Sequence, residues 1–459
     1  MNELGSALPA CRLERLLGRP ARAWTVDDLA GLVRERGIRL VSLLHVGGDG
    51  WLKALDFVPG SVGHVRDILE GGERADGSSL FPGLGIPADA SDVVLRPRIA
   101  SAFLDPFASL PTLAVLCGHA GRDGRALPQS PDTLVRLAQA RLTRETGVTL
   151  EALGEVEYFL GRPAGNGDMY GSHDRGYHAT APFVFGEPLR RRALALLAEI
   201  GVPVKYGHAE VGYVEAAEGE GEVWEQHEIE LALAPLPEAA DAVALTRWVL
   251  LNLAQAEGMR CSFDPIVRRG HAGNGLHFHL APVLDQAYVR SRDAGGKLAD
   301  PARWLIGGLV RYGGALMAFG NRAEGSFVRL SQAMEAPNGV KWGEYDRSAL
   351  VRLPVVATDP QGRAVSPPTI EFRLPDGSAH AHLLLAGVAQ AMMRARSLPD
   401  LDALLAATDS SRRGAGGGAA VPRGFREVGE AMRTHRDVFE AGDVFPPVLI
   451  EAQIERLLR

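Results

Sequence analysis

Four short stretches set chemically capable side chains two residues apart: Glu155 and Glu157, Glu228 and Glu230, His277 and His279, Glu371 and Arg373. Each lies in a segment that reads as a strand, where residues i and i+2 point to one face. In Glu155-Val156-Glu157-Tyr158-Phe159-Leu160 both carboxylates therefore leave one face, while Val156 and Tyr158 pack the other. Taken singly, such a pair is the ordinary pattern of a half-solvated strand. Several acids and imidazoles aimed at one space repel unless a cation sits among them, and a divalent metal ion is the simplest such cation. Carboxylate oxygens dominate the set, imidazole is minor and no thiol takes part, which selects Mg²⁺ or Mn²⁺ over zinc.

Arg329, Arg347, Arg352 and Arg373 fall in the same part of the chain. Their fixed donor forks bind phosphate or carboxylate through two parallel hydrogen bonds. Metal ions ringed by arginines suit an anionic substrate plus nucleotide phosphates, and so phosphoryl transfer to a carboxylic acid.

The elements that must position these groups form an α+β order. A helix is expected from Thr25-Val26-Asp27-Asp28, with Thr25 as N-cap and Gly37 beyond its end. Strands follow at 38–46 and 51–58, joined by the turn Gly47-Gly48-Asp49-Gly50, and then a helix near 61–69. Ser130-Pro131-Asp132 opens a longer helix that stops at Gly147. Amphipathic helices are expected near 188–200, 238–257, 301–319 and 380–396, between the strand-like stretches that carry the acids. The reading is a small domain over 22–125 and a larger one over 126–459. Residues 410–420, with Gly416-Gly417-Gly418, read as a flexible loop.

A chain of 459 residues with 46% hydrophobic content can bury large cores. A net charge of -7 leaves no basic footprint for nucleic acid. Three widely spaced cysteines, Cys11, Cys117 and Cys261, argue against a disulfide framework or a thiolate zinc site. There is no apolar run long enough for a membrane span and no signal-peptide pattern at Met1-Asn2-Glu3-Leu4, so a cytoplasmic protein is expected.

The motifs resemble, in order, those of the glutamine synthetases. Gly154 to Leu160 looks like the family's metal-ligand strand, and His208-Ala209-Glu210-Val211 and Gln226-His227-Glu228-Ile229 like its next two ligand motifs. Gly273-Asn274-Gly275-Leu276-His277-Phe278-His279 is similar to the glycine-rich loop and histidine strand, and Glu335-Ala336-Pro337 to the flap. Arg347-Ser348-Ala349 to Pro354 and Ile370 to Asp376 match the two arginine motifs. Asp76-Gly77-Ser78-Ser79 and Ser91-Asp92 resemble a loop that reaches a neighbouring subunit.

The resemblance implies a small N-terminal β-grasp-like domain followed by a catalytic α/β domain with a curved antiparallel sheet. It places Glu157, Glu210 and Glu228 around one metal ion, and Glu155, His277 and Glu371 around a second. It assigns His279, Arg347 and Arg352 to ATP, and Arg329, Arg373, Gly273 and Asp92 to the substrates. Asp76 would bind ammonium and help remove its proton, Arg347 would act on the phosphates, and Glu335 would shield the intermediate from water. The implied reaction is ATP-dependent ligation of ammonia to the γ-carboxylate of glutamate through γ-glutamyl phosphate, giving glutamine. The implied assembly is a homo-oligomer, a dodecamer of two stacked hexamers with shared active sites.

Several positions depart from the family pattern. Gly212 to Trp224 is longer than the family's connection and reads as an acidic hairpin. Ala272 stands where an asparagine commonly contacts the amino acid, and Lys205, Ala281 and Thr369 stand where glutamate, serine and arginine are common. No tyrosine segment for adenylylation follows Met393. Other readings are a glutamate–amine ligase using a substituted amine, a phosphotransferase similar to the guanidino kinases, and an inactive homologue. Asp174, His173 and His178 read as surface loop and Glu230 as structural.

Overall fold

The computed structural model describes residues 10–86, 91–165, 174–216, 221–293, 295–332, 336–412 and 420–459. His173, Glu335 and most of the glycine-rich loop at 413–419 lie outside them.

Two sheets organise the chain. The first holds β1 (Leu40–Val46), β2 (Leu52–Phe57), β3 (Glu73–Asp76), β4 (Asp92–Pro97), β5 (Phe103–Leu104) and β6 (Thr112–Ala120). Their order is β2-β1-β6-β4-β3, with β5 on β6; β1 and β6 run parallel and the other pairs antiparallel. The helices Val26–Glu35 and Val62–Gly71 bury Leu29, Val33, Val65 and Ile68 in a core shared with Val41, Leu43, Leu113 and Val115. Thr25 starts the first helix through a reciprocal capping box with Asp28, as the sequence indicates. Gly50 closes the β1–β2 turn at φ +87°, a conformation that disfavours any side chain.

The second sheet comprises β7 (Thr149–Pro163), β8 (Val204–Val214), β9 (Glu222–Leu231), β10 (Ala234–Pro235), β11 (Arg260–Ser262), β12 (Leu276–Leu284), β13 (Ala287–Tyr288), β14 (Trp342–Glu344), β15 (Val351–Leu353) and β16 (Ile370–Phe372). Its main order is β14-β15-β16-β12-β7-β9-β8, antiparallel except for β14 beside β15. The helices Leu236–Ala256 and Asp300–Gly320 pack on one face, with Ala381–Ala395 against both helices, around a large apolar core that includes Val243, Leu309 and Leu385. That face buries the apolar residues between the acids, such as Val156 and Tyr158 on β7. The helix Pro131–Thr146 begins and ends where the sequence indicates, with Gly147 left-handed at φ +74°. Ser130 holds the N-cap position without capping: its hydroxyl lies 2.8 Å from His119 Nδ1.

Candidate active site

Register across the second sheet lines the chemical groups into rows. Glu155 of β7 stands opposite His277 of β12 on one side and Glu230 of β9 on the other. Glu157 is opposite Glu228, which is opposite His208 of β8. His279 is opposite Glu371 of β16, which is opposite Arg352 of β15. Residues facing each other across antiparallel strands sit roughly 5 Å apart, so three rows converge on one patch of sheet.

These rows line a cavity of about 540 Å³. Glu155, Glu157, Glu210, Glu228, Glu371, His277 and His279 line it together with Arg347, Arg352 and Arg373. Ten of the residues expected from sequence are thus brought together. Asp76 and Asp92 face each other across β3 and β4 and do not line this cavity. Arg329 is buried behind it and donates from Nη2 to His277 Nε2 at 3.2 Å. Gly273 sits on the loop leading into β12, its carbonyl accepting from Gln226 Nε2 at 3.1 Å.

The contacts within the cluster are close. His277 Nδ1 is 2.8 Å from Glu155, 3.8 Å from Glu157 and 3.9 Å from Glu371. His279 Nε2 lies 3.0 Å from Glu155, and its Nδ1 lies 2.8 Å from Thr369 Oγ1. Glu371 is 1% exposed and held between Arg352, 2.9 Å away, and Arg373. Glu157 accepts from Gln226 Nε2 at 3.0 Å and from the Gly275 amide at 2.7 Å. A Cβ on Gly275 would lie 2.6 Å from His277 Nε2 and 3.0 Å from Glu157 Oε1, so only glycine lets this backbone pass. Glu210 falls where the β8–β9 register slips between Ala209 and Tyr213, an irregularity that turns its carboxylate toward Glu157 and Glu228.

Electrostatics separate the acids into two kinds. Burial would raise Glu155, but the charges of His279 and His277 and their hydrogen bonds hold it well below the usual range. Burial, then the charges of Glu157 and Glu228, push Glu210 up to about 8. Glu228 is pushed well up by burial and then by Glu155 and Glu157. Burial would lower His279, but Glu155 and then Glu371 outweigh it and raise it to about 9. Crowded carboxylates that hold protons are a donor set lacking its counter-charge, which a hard divalent cation supplies. Donor atoms of Glu155, His279 and Glu371 lie within 4.8 Å of one another, as do those of Glu155, Glu228 and Glu230. The residues therefore fit Mg²⁺ or Mn²⁺.

This imbalance predicts an unusual pH response. A group whose folded pKa is raised adds stability that is complete below its unfolded pKa and is lost as pH rises through the folded one. Glu210, Glu228 and His279 all act in that direction. The metal-free protein is expected to melt at a lower temperature near pH 8.5 than near pH 6, and Mg²⁺ to raise the melting temperature more at the higher pH. Equal Mg²⁺ shifts at both pH values would contradict this.

Two sequence readings are corrected here and a third is borne out. Glu230, read as structural, lines the cavity and pairs with Lys205 Nζ at 2.6 Å. Asp174, read as surface loop, is 7% exposed at its side chain and accepts from the amides of Tyr213 at 3.1 Å and Ala272 at 3.2 Å. It thus ties the strand bearing Glu210 to the loop that carries Ala272. His178 is exposed in a turn, as its reading as surface loop expects; its ring stacks on Tyr177 at 4.2 Å and lies 4.5 Å from His208, both of which line the cavity. Tyr177 and Tyr206 carry no local signal, and His208 and Gln226 only their place within the ligand motifs. The extension at 212–224 is part of the β8–β9 hairpin, with Tyr213 opposite Glu225 and Val214 opposite Trp224; 217–220 lie outside the described residues.

The family model "Glutamine synthetase, catalytic domain" matches residues 129–395. The chain belongs to the glutamine synthetase family. Glutamine synthetase from Azospirillum brasilense is 27% identical, covering 94% of each chain. The Azotobacter vinelandii glutamine synthetase is 30% identical over 71% of this chain and 72% of its own. The family is not confined to one activity: a 3-hydroxylaminophenol mutase from Cupriavidus pinatubonensis is 29% identical over 80% of this chain and 81% of its own. The fold agrees with that of Plasmodium falciparum glutamine synthetase, at TM-score 0.78, 16% identity and 95% coverage of both chains. It also agrees with that of GmaS in complex with ADP, at TM-score 0.73 and 19% identity, covering 93% and 94%. A β-rich N-terminal unit and a large curled sheet are what the glutamine synthetase resemblance implies, and both are present. No helix among the described residues is long and apolar enough to cross a membrane.

Proposed function

We propose that this protein is an ATP-dependent ligase that joins ammonia to the γ-carboxylate of glutamate through a γ-glutamyl phosphate, releasing ADP and phosphate. The observation that carries the reading is the single cavity in which crowded carboxylates and two histidines meet Arg347, Arg352 and Arg373. Bound Mg²⁺ or Mn²⁺, held by Glu157, Glu210 and Glu228 and by Glu155, His277 and Glu371, would neutralise phosphate charge. The chain's own residues orient the rest. Arg352 and Arg373 are fixed through Glu371, so their donors are in place before an anion arrives. Gln226 and the Gly275 amide fix the Glu157 carboxylate, which keeps the first ligand set rigid. His279 is held between Thr369 and Glu155, and as a cation it faces the phosphate end. Glu335 belongs to the flap in this reading and excludes water that would hydrolyse the acyl phosphate.

Asp76 and Asp92 act in the site of a neighbouring subunit, within the proposed dodecamer. Hydrogen bonds from Ser79, Ser78 and Ser91 hold Asp76 below the ordinary carboxylate range, so it stays ionised and suited to a small cation such as ammonium. Asp76→Ala and Glu228→Gln subunits, each inactive alone, are expected to recover activity when dissociated, mixed and reassembled, because one site type in the hybrid keeps both residues. No recovery in mixtures that reassemble to full size would place Asp76 outside the site.

The deciding assay is phosphate release from ATP with glutamate, run with ammonia, methylamine and ethanolamine. The highest kcat/KM is expected with ammonia. A much higher value with an alkylamine would make the protein a glutamate–amine ligase, and no glutamate-dependent release with any acceptor would end the ligase reading.

A further inference from the structure

Lys205 is an odd residue to find on the wall of a site built for cations. The family resemblance leads one to expect a glutamate there, so the charge is reversed. Its placement comes from a strand irregularity: Val204 pairs with Leu231 and Tyr206 with Glu230, which leaves Lys205 as the extra residue of a β-bulge. A bulge breaks the alternation of faces and re-aims a side chain. Lys205 and Tyr206, consecutive in sequence, accordingly both line the cavity.

The bulge delivers the ammonium to one particular carboxylate. Lys205 Nζ is 2.6 Å from Glu230 Oε1 and 5.1 Å from the centre of the Tyr206 ring. The Glu230 side chain is 4% exposed, whereas that of Lys205 is 46% exposed. A buried carboxylate is thus neutralised by a cation whose other protons face the open cavity. Glu230 stands directly opposite Glu155 in the sheet, and Glu155, Glu228 and Glu230 could bring donor atoms within 4.8 Å of one another. Without Lys205, that trio would have the charge and spacing for another divalent ion.

We propose that Lys205 is a built-in cation that, by neutralising Glu230, takes the place of a further divalent ion that Glu155, Glu228 and Glu230 could otherwise hold, and that it presents its remaining ammonium protons to the polyphosphate of the bound nucleotide. Thr369, where the family commonly has an arginine, offers only a hydroxyl to that end of the cavity, and this one is engaged with His279. Lys205 on the facing wall restores the positive charge. The proposal rests on the ligase reading for its choice of nucleotide as the anion.

The test counts ions and compares ligands in the full-length assembled protein. Free Mn²⁺ is followed by electron paramagnetic resonance in the absence of nucleotide, and ADP and adenosine binding by calorimetry with Mn²⁺ present. Lys205→Met is expected to bind one more Mn²⁺ per subunit than wild type. Adding Glu230→Gln to that variant should return the count to the wild-type value. ADP affinity should fall about tenfold in the Lys205→Met/Glu230→Gln variant, which holds neither the lysine nor the extra ion, the size of one charge-assisted hydrogen bond, with adenosine affinity unchanged. An unchanged Mn²⁺ count in a folded Lys205→Met protein overturns the proposal, as does an equal loss of ADP and adenosine. Wild-type protein that binds Mn²⁺ but no ADP would instead sink the ligase reading, while the gained Mn²⁺ in Lys205→Met would still support the lysine's role as a resident cation.

Discussion

Glu228→Gln is expected to cut turnover at saturating Mg²⁺ by more than about 100-fold, since loss of a group that merely orients a metal ligand already costs about 10- to 100-fold. Glu228 is 5% exposed and faces Glu157 on one side and His208 on the other, with its carboxylate 3.4 Å from the His208 Nε2. Glutamine keeps the shape of the side chain and removes its charge, so packing against neighbouring strands survives. Turnover is expected to fall because the proposed ligand set loses a negative charge. Stability should move the other way. Glu228 is pushed strongly toward its protonated form by burial and by Glu155 and Glu157, so the neutral amide removes repulsion from the metal-free state. Metal-free Glu228→Gln is therefore expected to melt at or above the wild-type temperature near pH 8 while gaining less from added Mg²⁺. Wild-type turnover at saturating metal would remove Glu228 from the ligand set.

The two-residue spacing made the site legible before any fold was known. Side chains at i and i+2 share a face in any strand, so Glu155 with Glu157 and His277 with His279 could be read as converging groups from local sequence. The helix Pro131–Thr146 was equally legible, because Pro131 and Gly147 impose local backbone preferences at its two ends. Cross-strand register was not legible. That His279 faces Glu371, and Glu371 faces Arg352, is decided by packing between segments far apart in the chain. Glu230 reads as structural because the family pattern gives it no role, although it shares a strand face with Glu228; that it stands opposite Glu155 is set by register. The slips at Lys205 and Glu210 were also hidden, since strict alternation would send Lys205 and Tyr206 to opposite faces. Asp174 was missed for another reason. Its partners are backbone amides of Tyr213 and Ala272, which leave no pattern of residue types to recognise.

Arg373→Met should separate stability from metal binding in a way that tests how the cavity is assembled. Arg373 is 2% exposed; it pairs with Glu371, and its Nε donates to the Arg347 carbonyl at 3.1 Å. Removing one partner of a buried ion pair costs about 3–5 kcal/mol because the remaining charge is left without compensation. Arg352 stays 2.9 Å from the other Glu371 oxygen, so the expected loss lies near the lower figure, about 3 kcal/mol in metal-free protein. Glu371 Oε1, released from Arg373, faces His277 Nδ1 at 3.9 Å and becomes a stronger metal donor. Mn²⁺ should therefore bind the variant at least as tightly as wild type and recover part of the lost stability. Turnover should still collapse, since the proposed ligase site would lose a fixed donor fork for the transferring phosphate. Denaturant melts with and without Mn²⁺, set beside phosphate release, measure all three effects. A variant that binds Mn²⁺ more weakly than wild type while keeping its turnover would mean that Arg373 supports the metal cluster rather than the anion.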